Sequence, residues 1–187
     1  MKTIEKNGIY FISGIKEIVL SVGGQFNDVK ERPIVALMQS HEIPEIFWSI
    51  PVGDLSHRNQ EQLNRIQKYL NYPKDDIRSC FYHIGNTNKK SLFFISDIFP
   101  INADYIDREY LSFNNQVHVI KNKTLISALN EKTGRILSYE QSKITQTGKF
   151  YFRQNIFGVY SKVKEQLESK NVIPKADEEA QYTKKEV

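Results

Sequence analysis

Cysteine is nearly absent from this chain of 187 residues, in which Cys80 is the only one. A single thiol excludes an internal disulfide and any zinc site built from cysteines. Cys80 lies in an apolar run, where a buried small hydrophobic residue is favoured over a catalytic thiol. No apolar stretch approaches the length of a membrane span, and the first residues lack the apolar centre of a signal peptide. We therefore expect a cytoplasmic protein with no membrane contact.

Several familiar catalytic signatures are also missing. The sequence has no phosphate-cradling glycine loop, no His-Glu-x-x-His pair and no Gly-x-Ser-x-Gly turn. Neighbouring carboxylates occur at Asp75-Asp76 and between Asp104 and Glu109, which we interpret as a loop and a solvated face. We therefore expect neither a metal site nor a cofactor.

The overall composition is that of a folded protein. Hydrophobic residues make up 40% of the chain and aromatic residues 12%, and the length suits one domain with a substantial core. We expect this domain to span residues 1–170. The hydrophobic pattern stops there, and the mixed charges of residues 171–187 predict a disordered tail. The net charge of +4 favours an anionic partner such as nucleic acid.

Two clusters of basic and polar residues each join a hydrophobic strand. Lys-Glu-Arg-Pro at 30–33 leads into the first strand, and Gly-Asp-Leu-Ser-His-Arg at 53–58 follows the second. Because only a short polar turn separates these strands, we expect them to pair as an antiparallel hairpin. In a hairpin the start of the first strand lies beside the end of the second. Arg32 is therefore expected close to the second cluster.

The joined clusters contain the groups that cleave RNA without a metal. Such cleavage needs a base for the 2′-OH proton, an acid for the leaving 5′-oxygen and positive charge for the oxyanion. His57 can serve as acid or base near neutral pH. Arg32 and Arg58 can hold the phosphate in bidentate geometry. Ser56 can donate a hydrogen bond, and Asp54 can orient His57 or act as a base.

A helix start is the alternative explanation for part of this cluster. Apolar residues recur at helical spacing between residues 59 and 72. Either Ser56 or Asn59 suits the N-cap of this inserted helix.

Strands and helices alternate unevenly over the rest of the chain. The pattern predicts strands at 78–84 and 91–99 around a turn, and a last short strand at 116–120. Two C-terminal helices are predicted, one over 124–141 with Thr124 as its cap and one from Ile156 onwards. The expected fold class is α+β: a strongly bent antiparallel sheet or barrel with an inserted helix and two C-terminal helices.

Short segments in a fixed order carry a family resemblance over about residues 7 to 168. They are Asn-Gly-Ile-Tyr at 7–10, Arg-Pro at 32–33, Trp-Ser-Ile-Pro at 48–51, the run from Phe94 to Ile101, and the run from Tyr105 to Tyr110. In these segments the chain resembles the ToxN/AbiQ-like endoribonuclease toxins of type III toxin–antitoxin systems, most closely the CptN and TenpN branches.

The resemblance implies a PemK/MazF-like core and an enzyme that cuts cellular mRNA without a metal, leaving a 2′,3′-cyclic phosphate. It also implies inhibition by a small antitoxin RNA, which the toxin cuts from a tandem-repeat array and which folds as a pseudoknot. Toxin and RNA would assemble into a closed hetero-oligomer, and phage defence by abortive infection is the role that goes with such a system.

The resemblance also assigns site residues. The family's basic residue before the first long strand matches Arg32, and its loop with a hydroxyl and a lysine matches residues 53–58. This chain departs from the pattern, because Gly53-Asp54 stand where relatives carry Thr or Ser, and His57 or Arg58 stands for the lysine. The hypothesis is that Arg32 and Arg58 stabilise the phosphate, His57 is the acid or base, and Ser56 positions it.

Lysines are the expected contacts to the RNA backbone. The candidates are Lys30, Lys68, Lys89, Lys90, Lys121 and Lys123. Two alternatives stay open: a non-catalytic RNA-binding protein that uses the same basic edge, and a MazF-like type II toxin with a protein antitoxin. Absence of cleavage would favour the first, and a neighbouring reading frame in place of tandem repeats would favour the second.

Overall fold

The computed structural model describes residues 3–26 and 32–172, which form an α+β structure as expected. Its strands are β1 (Ile9–Ile12), β2 (Ile34–Gln39), β3 (Phe47–Asp54), β4 (Tyr82–Asn86), β5 (Lys90–Phe94), β6 (Phe99–Ile101) and β7 (Ile106–Glu109). Its α-helices are α1 (Ile15–Ser21), α2 (Gln60–Leu70), α3 (Lys123–Thr147) and α4 (Ile156–Val172). Short 3₁₀ helices occur at Ile77–Cys80, Ile95–Asp97 and Ala103–Tyr105.

The strands form a seven-stranded antiparallel sheet in the order β4-β5-β3-β2-β1-β7, with β6 also paired to β3. The expected hairpin is present, since Ile34 pairs with Pro51 and Val35 with Ile50. Strand β3 is the centre of the sheet. One of its edges pairs with β2, while the other pairs first with β6 and then with β5. The register of the β2–β3 pair shifts between Ala36 and Met38.

Three predicted strands differ from the observed structure. The segment 78–84 begins as a 3₁₀ helix, and β4 starts only at Tyr82. The segment 91–99 is broken by another 3₁₀ helix, after which β6 carries Pro100 within it. Proline is tolerated there because, within the described residues, β6 pairs on one side only, with β3. In place of the strand expected at 116–120 there are isolated bridges.

The helix boundaries follow local capping. The Asn59 side chain accepts a hydrogen bond from the Gln62 N–H, and the Gln62 side chain accepts one from the Asn59 N–H. Asn59 is therefore the N-cap of α2, and Ser56 is not. Asn122, two residues before the expected Thr124, caps α3. This helix continues to Gly148, whose φ of 67° suits a glycine C-cap.

Helices cover both faces of the sheet. Helix α3 contributes Leu125 and Leu129 to the core on the face of Ile50 and Phe93. On the opposite face, α1 and α4 contribute Ile15, Val19, Val159 and Val163 to a second core, and Ile66 of α2 packs on Leu92 and Phe94. At the end of β3, Gly53 pairs with Leu92, the residue on which Ile66 of α2 packs.

No helix in residues 3–26 and 32–172 combines the length and apolar character needed to cross a bilayer. The predicted charged tail of residues 171–187 lies outside the described residues apart from the last two residues of α4.

Candidate functional site

Two arginines approach one aromatic ring at the end of β3. The guanidinium carbon of Arg32, which precedes β2, is 4.6 Å from the centroid of the Phe94 ring, and that of Arg58 is 5.3 Å from it. Gly53 leaves room for this arrangement, because a Cβ on it would be 3.0 Å from Nη2 of Arg58. The face of an aromatic ring attracts cations, so Phe94 stabilises both guanidinium groups. We call Arg32 and Arg58 the arginine pair.

The surroundings of the arginine pair favour an anion. Burial lowers the pKa of Arg32, and the nearby positive charge of Arg58 lowers it further. A guanidinium nevertheless stays charged at neutral pH. In the described structure, Nε of Arg58 is buried without a hydrogen-bond partner. Two like charges held together in a half-buried position are stabilised when an anion such as phosphate binds to both.

A second network forms around Asp54, the last residue of β3. One carboxylate oxygen accepts hydrogen bonds from the Ser56 N–H (2.8 Å) and hydroxyl (2.7 Å). The other lies 2.6 Å from Nζ of Lys89 and 3.6 Å from Nε2 of His57. Lys89 and then Ser56 hold the pKa of Asp54 well below its usual range, so the carboxylate stays ionised. We call Asp54, Ser56, His57 and Lys89 the Asp54 network.

The structure brings the five predicted catalytic residues to one end of β3 but divides them between its two faces. Gly53 pairs with Leu92 and Asp54 pairs with Ser91, and successive strand residues point to opposite faces. The arginine pair shares the Gly53 face with Phe94, whereas the Asp54 network begins on the other face. The Ser56 hydroxyl donates to Asp54 and not to His57. The His57 side chain is 82% exposed.

A cleft with a volume of about 310 Å³ opens beside Arg32. Phe26 and Phe99 line it, with their ring centroids 6.3 Å apart. Its wall also carries Asp97 and Arg153, joined by a hydrogen bond of 2.8 Å from Nη2 to Oδ1. We call this space the Arg32 cleft.

The predicted RNA-binding lysines are dispersed. Lys89 belongs to the Asp54 network, and Lys90 follows it at the start of β5 with an exposed side chain. Lys68, Lys121 and Lys123 are also exposed, Lys68 in the last turn of α2 and the other two around the start of α3. Lys30 lies outside the described residues.

Sequence reasoning missed Phe94, Arg153 and the ion pair of Lys89. Phe94 lies within an apolar run and resembles an ordinary core residue, and Arg153 lies far along the chain with no motif around it. The charge of Lys89, in the turn five residues after the predicted strand 78–84, was the one available signal. In residues 3–26 and 32–172 no group of three or more His, Cys, Asp or Glu side chains is arranged to hold a metal ion.

Comparison with protein-family models and with curated protein sequences finds no match. Among solved structures, a similar chain is AbiQ, described as a lactococcal anti-phage endoribonuclease belonging to the type-III toxin–antitoxin system. The superposition covers 89% of this chain and 99% of AbiQ, with a TM-score of 0.55 and 14% sequence identity. At this identity the comparison shows that the two chains share a fold.

Proposed function

We propose that this protein is an endoribonuclease toxin of the ToxN/AbiQ type, controlled by an RNA antitoxin in a type III system. The observation that carries the proposal is the arginine pair around Phe94, beside a loop with a hydroxyl and an imidazole. The shared fold with AbiQ, itself an endoribonuclease, supports the same reading. From the order of its short motifs we further propose that the chain is nearest the CptN and TenpN branches and that its core is of the PemK/MazF type.

In this proposal the scissile phosphate binds between Arg32 and Arg58. Their donors reach the non-bridging oxygens, where negative charge accumulates as the 2′-oxygen attacks. The new bond from the 2′-oxygen to phosphorus forms a 2′,3′-cyclic phosphate, and the bond to the 5′-oxygen breaks. His57, whose ring is exposed, accepts the 2′-OH proton or protonates the 5′-oxygen.

The residues of the Asp54 network assist the reaction at the arginine pair. Because Asp54 is ionised, it can orient an imidazole N–H but has no proton to give. The carboxylate also raises the pKa of Lys89, which therefore remains a cation and attracts the RNA backbone. Ser56 keeps Asp54 in place through two hydrogen bonds.

The proposed partners are all RNA. Cellular mRNA is the substrate, and the antitoxin is a pseudoknot RNA cut from tandem repeats, bound in a hetero-oligomer. The exposed lysines described above are the proposed contacts to its phosphates. No cofactor or metal takes part in the proposed reaction, which occurs in the cytoplasm.

The test is RNA cleavage by the purified protein in excess EDTA, with analysis of the product ends. We expect 2′,3′-cyclic phosphate ends and a loss of about 100-fold or more in rate for His57→Ala. His41→Ala is the matched control, since His41 is an exposed loop histidine away from the site. Wild-type activity in His57→Ala would remove His57 from the mechanism, and loss of activity in EDTA would contradict its metal independence.

Complete absence of cleavage would favour the RNA-binding alternative instead. That alternative predicts RNA affinity that falls steeply as the salt concentration rises. Inhibition by a co-expressed neighbouring protein, and not by a repeat RNA, would favour a type II toxin.

A further inference from the structure

We propose that the Arg32 cleft binds one unpaired nucleobase next to the phosphate held by the arginine pair, and thereby selects the RNA sequence that is cleaved. This inference rests on the proposed function and specifies how its substrate is recognised.

The cleft and the proposed phosphate site are continuous. Arg32 belongs to both, since its guanidinium contacts Phe94 and its side chain lines the cleft. A nucleotide whose phosphate contacts Arg32 therefore has its base within reach of the cleft. The volume of about 310 Å³ lies at the lower end of small-ligand sites, which suits one base but not a duplex.

The charges on the cleft wall favour a neutral ligand over a second phosphate. Among the described lining residues, three are cationic and three are anionic: Arg32, Lys16, Arg153, Asp97, Asp107 and Glu17. A site for a phosphate chain would be dominated by cations. A base is uncharged and carries donors and acceptors side by side on one edge.

The pair of Asp97 and Arg153 matches such an edge. The two side chains are 25% and 41% exposed, and one Arg153 nitrogen donates to one Asp97 oxygen. The other Asp97 oxygen can accept from a base amino or imino group, while further Arg153 nitrogens can donate to a ring nitrogen or carbonyl. Phe26, half-buried against Phe99, offers an apolar wall against which a base can stack.

The wall is also rigid, as selective recognition requires. The Gln154 side chain is 4% exposed, and its amide donates to the carbonyls of Ser96 (2.9 Å) and Ile98 (2.7 Å). These bonds hold the 3₁₀ helix that presents Asp97. The backbone of Gln25 is likewise fixed by a 2.7 Å hydrogen bond from its N–H to the Arg153 carbonyl.

The experiment sequences the product ends from a randomised RNA cleaved by the wild type, Asp97→Asn and Arg153→Gln. We expect both variants to cleave, with the base preference at one position next to the scissile phosphate reduced about tenfold. Asp76→Asn and Arg78→Gln are matched controls, because they alter another Asp–Arg pair, joined at 2.6 Å at the start of the 3₁₀ helix Ile77–Cys80, that does not line the cleft. The controls should keep the wild-type preference.

A second measurement separates this inference from the proposed function. Nucleoside 3′-monophosphates at millimolar concentration should shift the NMR signals of backbone amides in residues 13–16 and 25–26 of the wild type. Cleavage with unchanged preference in both variants would overturn the base site and leave the nuclease in place. Where no RNA is cleaved, or a variant fails to fold, the nucleotide titration decides: shifts at these amides support the base site, and their absence overturns it.

Discussion

Phe94 places one aromatic ring within cation–π distance of two guanidinium groups that repel each other. Its neighbour Phe93 is fully buried in the core on the opposite face of the sheet. Because side chains alternate along β5, Phe93 packs in the core whereas Phe94 contacts the arginines. The sequence predicts that Arg32 and Arg58 come together, because the hairpin register requires it. The ring that both guanidinium groups contact follows only from the pairing of β5 with β3, which no local pattern reveals.

Glu140 is a buried carboxylate in α3, away from the proposed site. One of its oxygens accepts hydrogen bonds from the N–H groups of Tyr151 (2.8 Å) and Phe152 (3.2 Å), and the other is buried without a partner in the described structure. Burial raises the pKa of Glu140 above its ordinary value, although the two N–H groups oppose the shift. The folded protein therefore holds this proton more tightly than the unfolded chain does.

This gives a prediction for stability against pH. The contribution of Glu140 is fully present below the unfolded pKa, which is about 4.3, and is lost as the pH rises through the higher folded pKa. Thermal unfolding of Glu140→Gln between acidic and neutral pH should show a flatter dependence than the wild type. Glu131→Gln, an exposed glutamate on the same helix, is the control and should keep the wild-type slope. Equal slopes for Glu140→Gln and the wild type would contradict the assignment.

The N-cap of helix α2 lies directly beside a residue of the proposed site. Arg58 directly precedes the Asn59 cap, so the first turn of the helix fixes where the arginine emerges. The sequence offers Asn59 as a cap and predicts this helix, because capping and helical spacing are local signals. It does not predict the 3₁₀ helices after α2 and β5, because these depend on packing against α3 and β3.

Removing this cap should affect both stability and activity. Asn59→Ala is expected to lose about 1 kcal/mol of unfolding free energy, since it removes an N-cap hydrogen bond. Because Arg58 would also be displaced, the rate of RNA cleavage should fall about tenfold or more. Asn122→Ala removes the equivalent bond from α3 and should lower stability by a similar amount without the loss of activity. Denaturant unfolding and cleavage assays measure the two effects, and equal activity in both variants would disprove the link.

For the whole molecule, composition and periodicity predict an α+β fold with a bent antiparallel sheet and C-terminal helices. They do not predict the Arg32 cleft, because its walls come from segments far apart in sequence. Asp97 and Arg153, for example, are 56 residues apart in the sequence. They are brought together where α4 packs on β6. The edge where Arg32 meets the 53–58 loop could be foreseen, since a single hairpin creates it. That the arginine pair and the Asp54 network lie on opposite faces of the sheet could be seen only from the observed register of β3 and β5.

We propose that the arginine pair forms the phosphate site of a ribonuclease. The most direct measurement is the cleavage rate of one RNA by the wild type, Arg32→Ala and Arg135→Ala in excess EDTA. Arg135 is a half-buried arginine on α3 that does not belong to the arginine pair, so it controls for the loss of any such side chain. We predict that the cleavage rate falls at least about 100-fold for Arg32→Ala, because the positive charge of Arg32 stabilises the developing oxyanion. Arg135→Ala should cleave at nearly the wild-type rate. Equal rates for Arg32→Ala and the wild type would contradict the claim.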